Sequence, residues 1–256
     1  MIISHKYGFI FLHAPKMAGS ALKISLLRHL GPDDLILGVL DDALMQGVWP
    51  TRRTMRIAMS PRSAAWYRKA FAVPLGGRRA LGNLINWSVK RHFRDVYGLV
   101  THSGADECQR AFPDEFAHYR RIAVTRNPYD YFASAYFWRY RKLRDTERPT
   151  FEAFVRAVYD NSADHRGSDF RRKLGEAFYF HRDGRFALTH VLHYECLEKD
   201  WLQLIGELGL PGDAKLTSAK THTRQARDYH TLFNPETRAM VSALCAREIE
   251  HFGYTF

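Results

Sequence analysis

Apolar positions along this chain recur at two spacings, and the changes between them mark its elements. Tyr7 to Leu12 is an apolar, β-prone run short enough for one buried strand. The chain then turns through Pro15 and Gly19 into a stretch where Leu22, Leu26 and Leu30 fall on one helical face. Gly31-Pro32-Asp33-Asp34 reads as a turn, and Leu35 to Leu40 as a short strand or the start of a loop. Val96 to Thr101 and Arg121 to Thr125 read as the second and third core strands, and Phe186 to Tyr194 as the fourth. Between and after them lie helical patterns. One follows Ser103 as N-cap, with Asp106 three residues on. A second runs from Pro128, capped by Asn127, to about Leu143. Others cover Phe151 to Tyr159 behind Thr150, Phe170 to Phe180, Leu197 to Leu208, and Asn234-Pro235 to about His251. Asn161 to Gly167 and Lys215 to Tyr229 are polar enough to be loops. Strands alternating with helices predict an α/β fold, a central parallel sheet flanked by helices.

Composition narrows this picture. A chain of 256 residues, 46% apolar and 14% aromatic, suits one domain with a sizeable core. No apolar run reaches the length of a membrane span, and no signal-peptide cleavage pattern is read. Cys108, Cys196 and Cys245 are too widely spaced for a metal-ligand pair or a disulfide framework, so the expected setting is reducing and cytoplasmic. Charge changes the picture more. Eleven of the 38 basic residues fall between Ala43 and Arg94, where there is no acid at all, and the remaining 27 equal the 27 acids. This basic insertion, at about 41–95, reads as two amphipathic helices around Pro74-Leu-Gly76-Gly77. Three roles fit it: a solvated insertion packed on the main domain, a wall for an acidic acceptor, or a surface touching anionic membrane.

Candidate chemistry sits where strands end. Strand, small-residue turn and helix at Phe9 to Leu22 form either an ordinary βα turn with a surface lysine or an anion site. In the second case backbone N–H groups and the helix N-terminus converge, and Lys16 adds a full charge. Arg126, at the end of the third strand, can face the same crevice, and Ser134 two turns on can offer a hydroxyl. His102 ends the expected second strand, where ligands bind in such sheets, though a lone histidine is more often structural.

Leu12-His-Ala-Pro-Lys16-Met-Ala-Gly-Ser20 resembles the 5′-phosphosulfate loop of the sulfotransferases, H-x-P-K-T-A-G-T-S. Arg126-Asn-Pro128-Tyr-Asp130, with Ser134 and Tyr136, resembles their 3′-phosphate motif, R-N-P-x-D-R-x-x-S-x-Y. Tyr194-Glu-Cys-Leu197-Glu-Lys-Asp200-Trp, and Tyr229 to Tyr254 ending in Ile249-Glu-His-Phe-Gly253-Tyr254, resemble the carbohydrate branch, in its Golgi-type and bacterial members. The resemblance covers most of the chain outside about 41–95. It implies one sulfotransferase domain over 1–256 with a P-loop-like sheet, and 3′-phosphoadenosine 5′-phosphosulfate (PAPS) as co-substrate. Pro15, Lys16, Met17, Ala18, Gly19, Ser20 and Ala21 would line the phosphosulfate, Arg126 and Ser134 would hold the 3′-phosphate, and Lys220 and Arg224 would add cations from the late loop. Three positions depart from the pattern. Met17 and Ala21 replace usual hydroxyls, leaving Ser20 alone, and Tyr131 replaces a usual arginine.

The implied reaction is in-line sulfuryl transfer to an acceptor hydroxyl, expected on a glycan or glycolipid. Lys16 would act on the leaving oxygen and His102 as base, as a histidine in a comparable place does in carbohydrate-type relatives; Asp106 and Glu107 are the reserves. No metal is needed and none is expected, nor is a nucleic-acid partner. A Walker loop has its lysine after the second glycine, whereas Lys16 precedes Gly19, which argues against an ATP-using kinase. The alternative from another class is a catalytically silent member that binds an anionic polymer or membrane through the basic block.

Overall fold

The structure is a computed structural model that describes residues 1–60, 73–164, 167–171, 174–211, 216 and 228–256. Among these, five strands form one sheet: β1 (Ile2–Ser4), β2 (Phe9–Phe11), β3 (Leu35–Ile36), β4 (Arg120–Thr125) and β5 (His190–His193), in the order β3-β1-β2-β4-β5. β2, β4 and β5 pair in parallel, as expected. β1 is antiparallel to both neighbours, so the sheet is mixed, with β1 the reversed strand. β1 is a three-residue strand that no periodicity marks. It is held by the buried Asp34, whose carboxylate accepts from Ser4 Oγ (2.7 Å), His5 N (2.7 Å), Lys6 N (3.1 Å) and Gly31 N (2.8 Å).

The helices follow in chain order: α1 (Gly19–Leu27), α2 (Leu40–Met45), α3 (Arg52–Ala58), α4 (Val73–Tyr97), α5 (Ala105–Ala111), α6 (Pro113–His118), α7 (Pro128–Arg139), α8 (Phe151–Tyr159), α9 (Gly167–Arg171), α10 (Glu176–Tyr179), α11 (Leu197–Glu207), α12 (Pro235–Leu244) and α13 (Ala246–Phe252). Several caps are the expected ones: Thr150 accepts from Ala153 N, Asn127 from Tyr129 N and Asn234 from Thr237 N. The pattern over Phe170 to Phe180 resolves into α9 and α10.

One expected strand is absent. Val96 to Thr101 is the end of α4 and its C-cap. Gly98, at φ 68°, donates to Arg94 O, the 5→1 bond of an αL cap, and Leu99 N reaches back to Phe93 O. The apolar side chains that imitate a strand divide between buried Leu99 and exposed Val96 and Val100. Ser103 is displaced as a cap in consequence. Gly104 takes that place, Glu107 accepts from its N–H, and the Ser103 hydroxyl accepts from Val100 N.

The described part of the basic segment is helical. α4 packs on α2 and α3 and buries Leu84, Ile85, Val89 and Phe93 in the common core. Gly77 breaks its helical geometry near the expected turn. The first of the two expected basic helices falls largely on 61–72, outside the described residues. Among the described residues no helix is long and apolar enough to cross a membrane.

Candidate active site

The C-terminal ends of β2, β4 and β5 lie side by side, and the loops leaving them form the site. The first loop leaves β2 through His13 and Pro15. Lys16 and Ala18 both take left-handed backbone, φ 61° and 52°, which turns the chain sharply into α1. Ala18 stands at the cap position and has no side-chain acceptor for the first-turn N–H groups. That end of α1 therefore suits an anion. Gly19 opens the helix because nothing larger fits: a Cβ there would lie 1.9 Å from His13 Cδ2. Ser20 is half-buried in the first turn. Met17 and Ala21, the two departures in this loop, are buried among apolar side chains and offer a ligand backbone only.

Arg126 joins this loop to the second. It follows β4 directly and is buried, 5% exposed. Its Nη1 donates to Lys16 O at 3.0 Å, and its Nε and Nη2 reach Asp130 Oδ2 at 2.7 and 2.6 Å. Its guanidinium carbon lies 3.9 Å from the centre of the Tyr194 ring. A guanidinium has five N–H groups, so these three bonds leave one on each terminal nitrogen. Asp130 lies four residues on, one helical turn away, where such a pair forms naturally.

Asp130, Ser134 and Trp138 recur at four-residue spacing along α7. Arg126 meets the first, and Lys16 Nζ lies 5.3 Å from the Trp138 ring. Half-buried Ser134 stands between them on that face. Tyr131, the residue in place of the usual arginine, is buried beside that face. Its ring stacks on Phe170 at 5.4 Å, and burial pushes its phenol up.

The Tyr-Glu stretch after β5 braces the clamp. Tyr194 stacks on Arg126, Glu195 accepts from Asn127 N at 2.7 Å, and Asp200 accepts from His193 N at 2.6 Å. The C-terminal end closes the same corner, with Asn127 Nδ2 donating to Thr255 O and Tyr254 OH to Thr125 Oγ1.

His102 sits in the turn after α4 rather than at a strand end. Its Nδ1 is 2.8 Å from His13 O, and the two rings lie 4.8 Å apart. A carbonyl only accepts, so Nδ1 is the donor in this bond. His13 therefore packs on Gly19 and orients His102, a link that required the tertiary structure to see. Asp130, Trp138, Tyr194 and Glu195 also line this corner; no individual role was legible for them in the sequence, though three of them lie within the quoted motifs. Lys220 and Arg224 lie outside the described residues, as does most of the expected Lys215 to Tyr229 loop. Beyond α5's first turn, which starts just after His102, is a cavity of about 820 Å³ lined by Asp106, Glu107, Tyr159, Arg171, His181 and Arg247 among others.

No curated protein and no solved structure matches the chain. The model of the Sulfotransferase family matches residues 1–255. A match of that extent, on a fold that gathers the motifs at the C-terminal ends of three parallel strands, makes this chain a member of the sulfotransferase family, whose reaction is sulfuryl transfer.

Proposed function

We propose that the chain transfers the sulfuryl group of PAPS to a hydroxyl of a glycan or glycolipid. The observation that carries this reading is the bond from Arg126 Nη1 to Lys16 O. It makes the loop at α1 and the Arg126 guanidinium one unit, suited to a ligand with an anionic group at each end. The fit is also chemical: a helix start with no side-chain cap, a lysine in the loop, and a fixed fork with two N–H groups to spare. In this reading Pro15 to Ala21 line the 5′-phosphosulfate, while Arg126 and Ser134 hold the 3′-phosphate. Met17 offers no hydroxyl and Tyr131 no guanidinium, so the clamp lacks two polar side chains that the family pattern has.

PAPS, when bound, supplies the sulfuryl group, whose bond to the 5′-phosphate oxygen breaks as the acceptor oxygen attacks in line. The chain's own work is alignment and charge. Lys16 Nζ and the start of α1 stabilise the negative charge that gathers on the departing oxygen. His102 Nε2 takes the acceptor's proton, with Nδ1–H fixed on His13 O in the tautomer that leaves Nε2 basic. On α4, Arg91 lies over the exposed Trp87 ring at 5.6 Å, a basic and aromatic surface suited to a sugar bearing acidic groups.

Calorimetry with 3′-phosphoadenosine 5′-phosphate tests the donor assignment. Saturable binding is expected, weakened at least about tenfold for adenosine 5′-phosphate, which lacks the group assigned to Arg126; one tenfold step is about 1.4 kcal/mol. Lys16→Ala should abolish transfer. His102→Ala should lower turnover and leave nucleotide binding nearly intact. No saturable nucleotide binding would favour the silent, polymer-binding alternative.

A further inference from the structure

Next to the Arg126 clamp, the end of β5 and the first turn of α11 bring together three different donor groups. These are the imidazole of His193, the thiol of Cys196 and the carboxylate of Asp200. One ligand atom from each lies within 4.8 Å of the other two. His193 Nδ1 is 3.0 Å from Asp200 Oδ2. Two ligands about 2.0–2.1 Å from a tetrahedral ion stand about 3.3 Å apart, so a small adjustment admits one. The backbone sets this spacing. Asp200 Oδ2 also accepts from His193 N at 2.6 Å, which ties helix to strand, and Cys196 lies on the turn between. The group is reachable: the His193 side chain is 41% exposed, and Cys196 is exposed.

We propose that His193, Cys196 and Asp200 bind one divalent ion of the Zn²⁺ type, with water in the fourth position. A thiolate with an imidazole selects a borderline-soft ion over Mg²⁺ or Ca²⁺, which take oxygen ligands. Binding converts the Cys196 thiol to thiolate, and its proton leaves to solvent. The role is positional. Tyr194 and Glu195 lie between the first two ligands, and they are the residues that stack on Arg126 and accept from Asn127 N. An ion that fixes His193 and Cys196 restricts both braces at once. The reaction itself needs no part of this site.

The test uses tag-free, chelator-stripped, reduced protein, with Co²⁺ as the spectroscopic probe and Zn²⁺ as competitor. One equivalent of Co²⁺ should give thiolate-to-metal charge-transfer absorption together with the visible bands of a tetrahedral ion, and Zn²⁺ should displace it. Cys196→Ser should abolish the charge-transfer absorption. Changing an outer-shell partner costs roughly 10- to 100-fold in metal affinity, and His193→Gln, which removes a ligand, should cost more. Cys108→Ser and Cys245→Ser, at buried thiols, should leave the absorption in place. Absence of the absorption, or its survival in Cys196→Ser, overturns the site. The readout uses no nucleotide, so failure of PAPS binding with the cobalt signal intact refutes the donor assignment alone.

Discussion

Gly19→Ala puts a methyl carbon 1.9 Å from His13 Cδ2, 2.3 Å from Nε2 and 2.8 Å from Cγ. Carbon contacts settle at about 3.5–4.0 Å, so the imidazole must retreat by roughly 1.5–2 Å. His13 is only 8% exposed, so it has little space to retreat into. Overpacking of this kind costs about 1–3 kcal/mol. The usual gain of alanine over glycine belongs to helix interiors, and Gly19 is the first residue of α1, so little offsets the cost. At about 2–4 °C per kcal/mol, the melting temperature should fall by roughly 2–12 °C. The effect on turnover should be larger. His13 O holds His102 Nδ1 at 2.8 Å, and the same segment leads into the Lys16 loop. A displacement of about 1 Å at reacting groups costs on the order of 100-fold, which is the expected loss in kcat/KM. Calorimetric melting and labelled-donor kinetics measure the two effects. His13→Ala removes the ring that the methyl strikes, so Gly19→Ala should cost less in that background, with a coupling of about 0.5–3 kcal/mol across the cycle. A Gly19→Ala protein with unchanged melting and turnover, or a cycle without coupling, refutes the reasoning.

Three more perturbations separate the clamp from the scaffold. Tyr194→Leu removes the ring under Arg126, a contact worth about 0.5–2 kcal/mol, so 3′-phosphoadenosine 5′-phosphate should bind roughly 2- to 30-fold more weakly by calorimetry, while Tyr194→Phe stays near wild type. Burial, reinforced by Glu176, pushes the Glu248 carboxyl up to about 8, and its Oε1 finds no partner among the described residues. A folded-state value raised above the unfolded one gives stability that is complete below about pH 4.5 and is lost as pH rises through about 8, by roughly 1.4 kcal/mol per unit. Glu248→Gln should therefore raise the melting temperature at pH 9 and change it little at pH 4. Asp34→Ala leaves four donors without their acceptor and should cost at least about 3 kcal/mol in denaturant unfolding, since each bond to a charged group is worth about 1.5–3 kcal/mol.

The loops were legible because they depend on local chemistry. Lys16 and Gly19 mark a turn into a helix, Asn127-Pro128 marks a helix start, and Arg126 and Asp130 are one turn apart. What escaped depends on tertiary context. Val96, Tyr97, Leu99 and Val100 have the composition of a strand, but their place is decided by a glycine at φ 68° that ends α4. β1 is too short for any period and exists because Asp34, thirty residues on from Ser4, gathers its turn. His102 was found as a residue type at a strand end that does not exist; its orientation comes instead from His13, 89 residues away. Tyr194 and Glu195 stood in a legible motif, yet their work on Arg126 and Asn127 appears only when β5 is laid beside β4.

In the proposed function the loop at Lys16 and the guanidinium of Arg126 together hold PAPS for transfer to a hydroxyl. Incubation of the protein with sulfuryl-labelled PAPS and crude polysaccharide and glycolipid fractions tests it most directly. Label is expected on a glycan or glycolipid product with wild-type protein, and none with Lys16→Ala or Arg126→Ala. Label transferred equally well by those two variants, or no transfer to any fraction by a wild-type protein that binds the nucleotide, would contradict it.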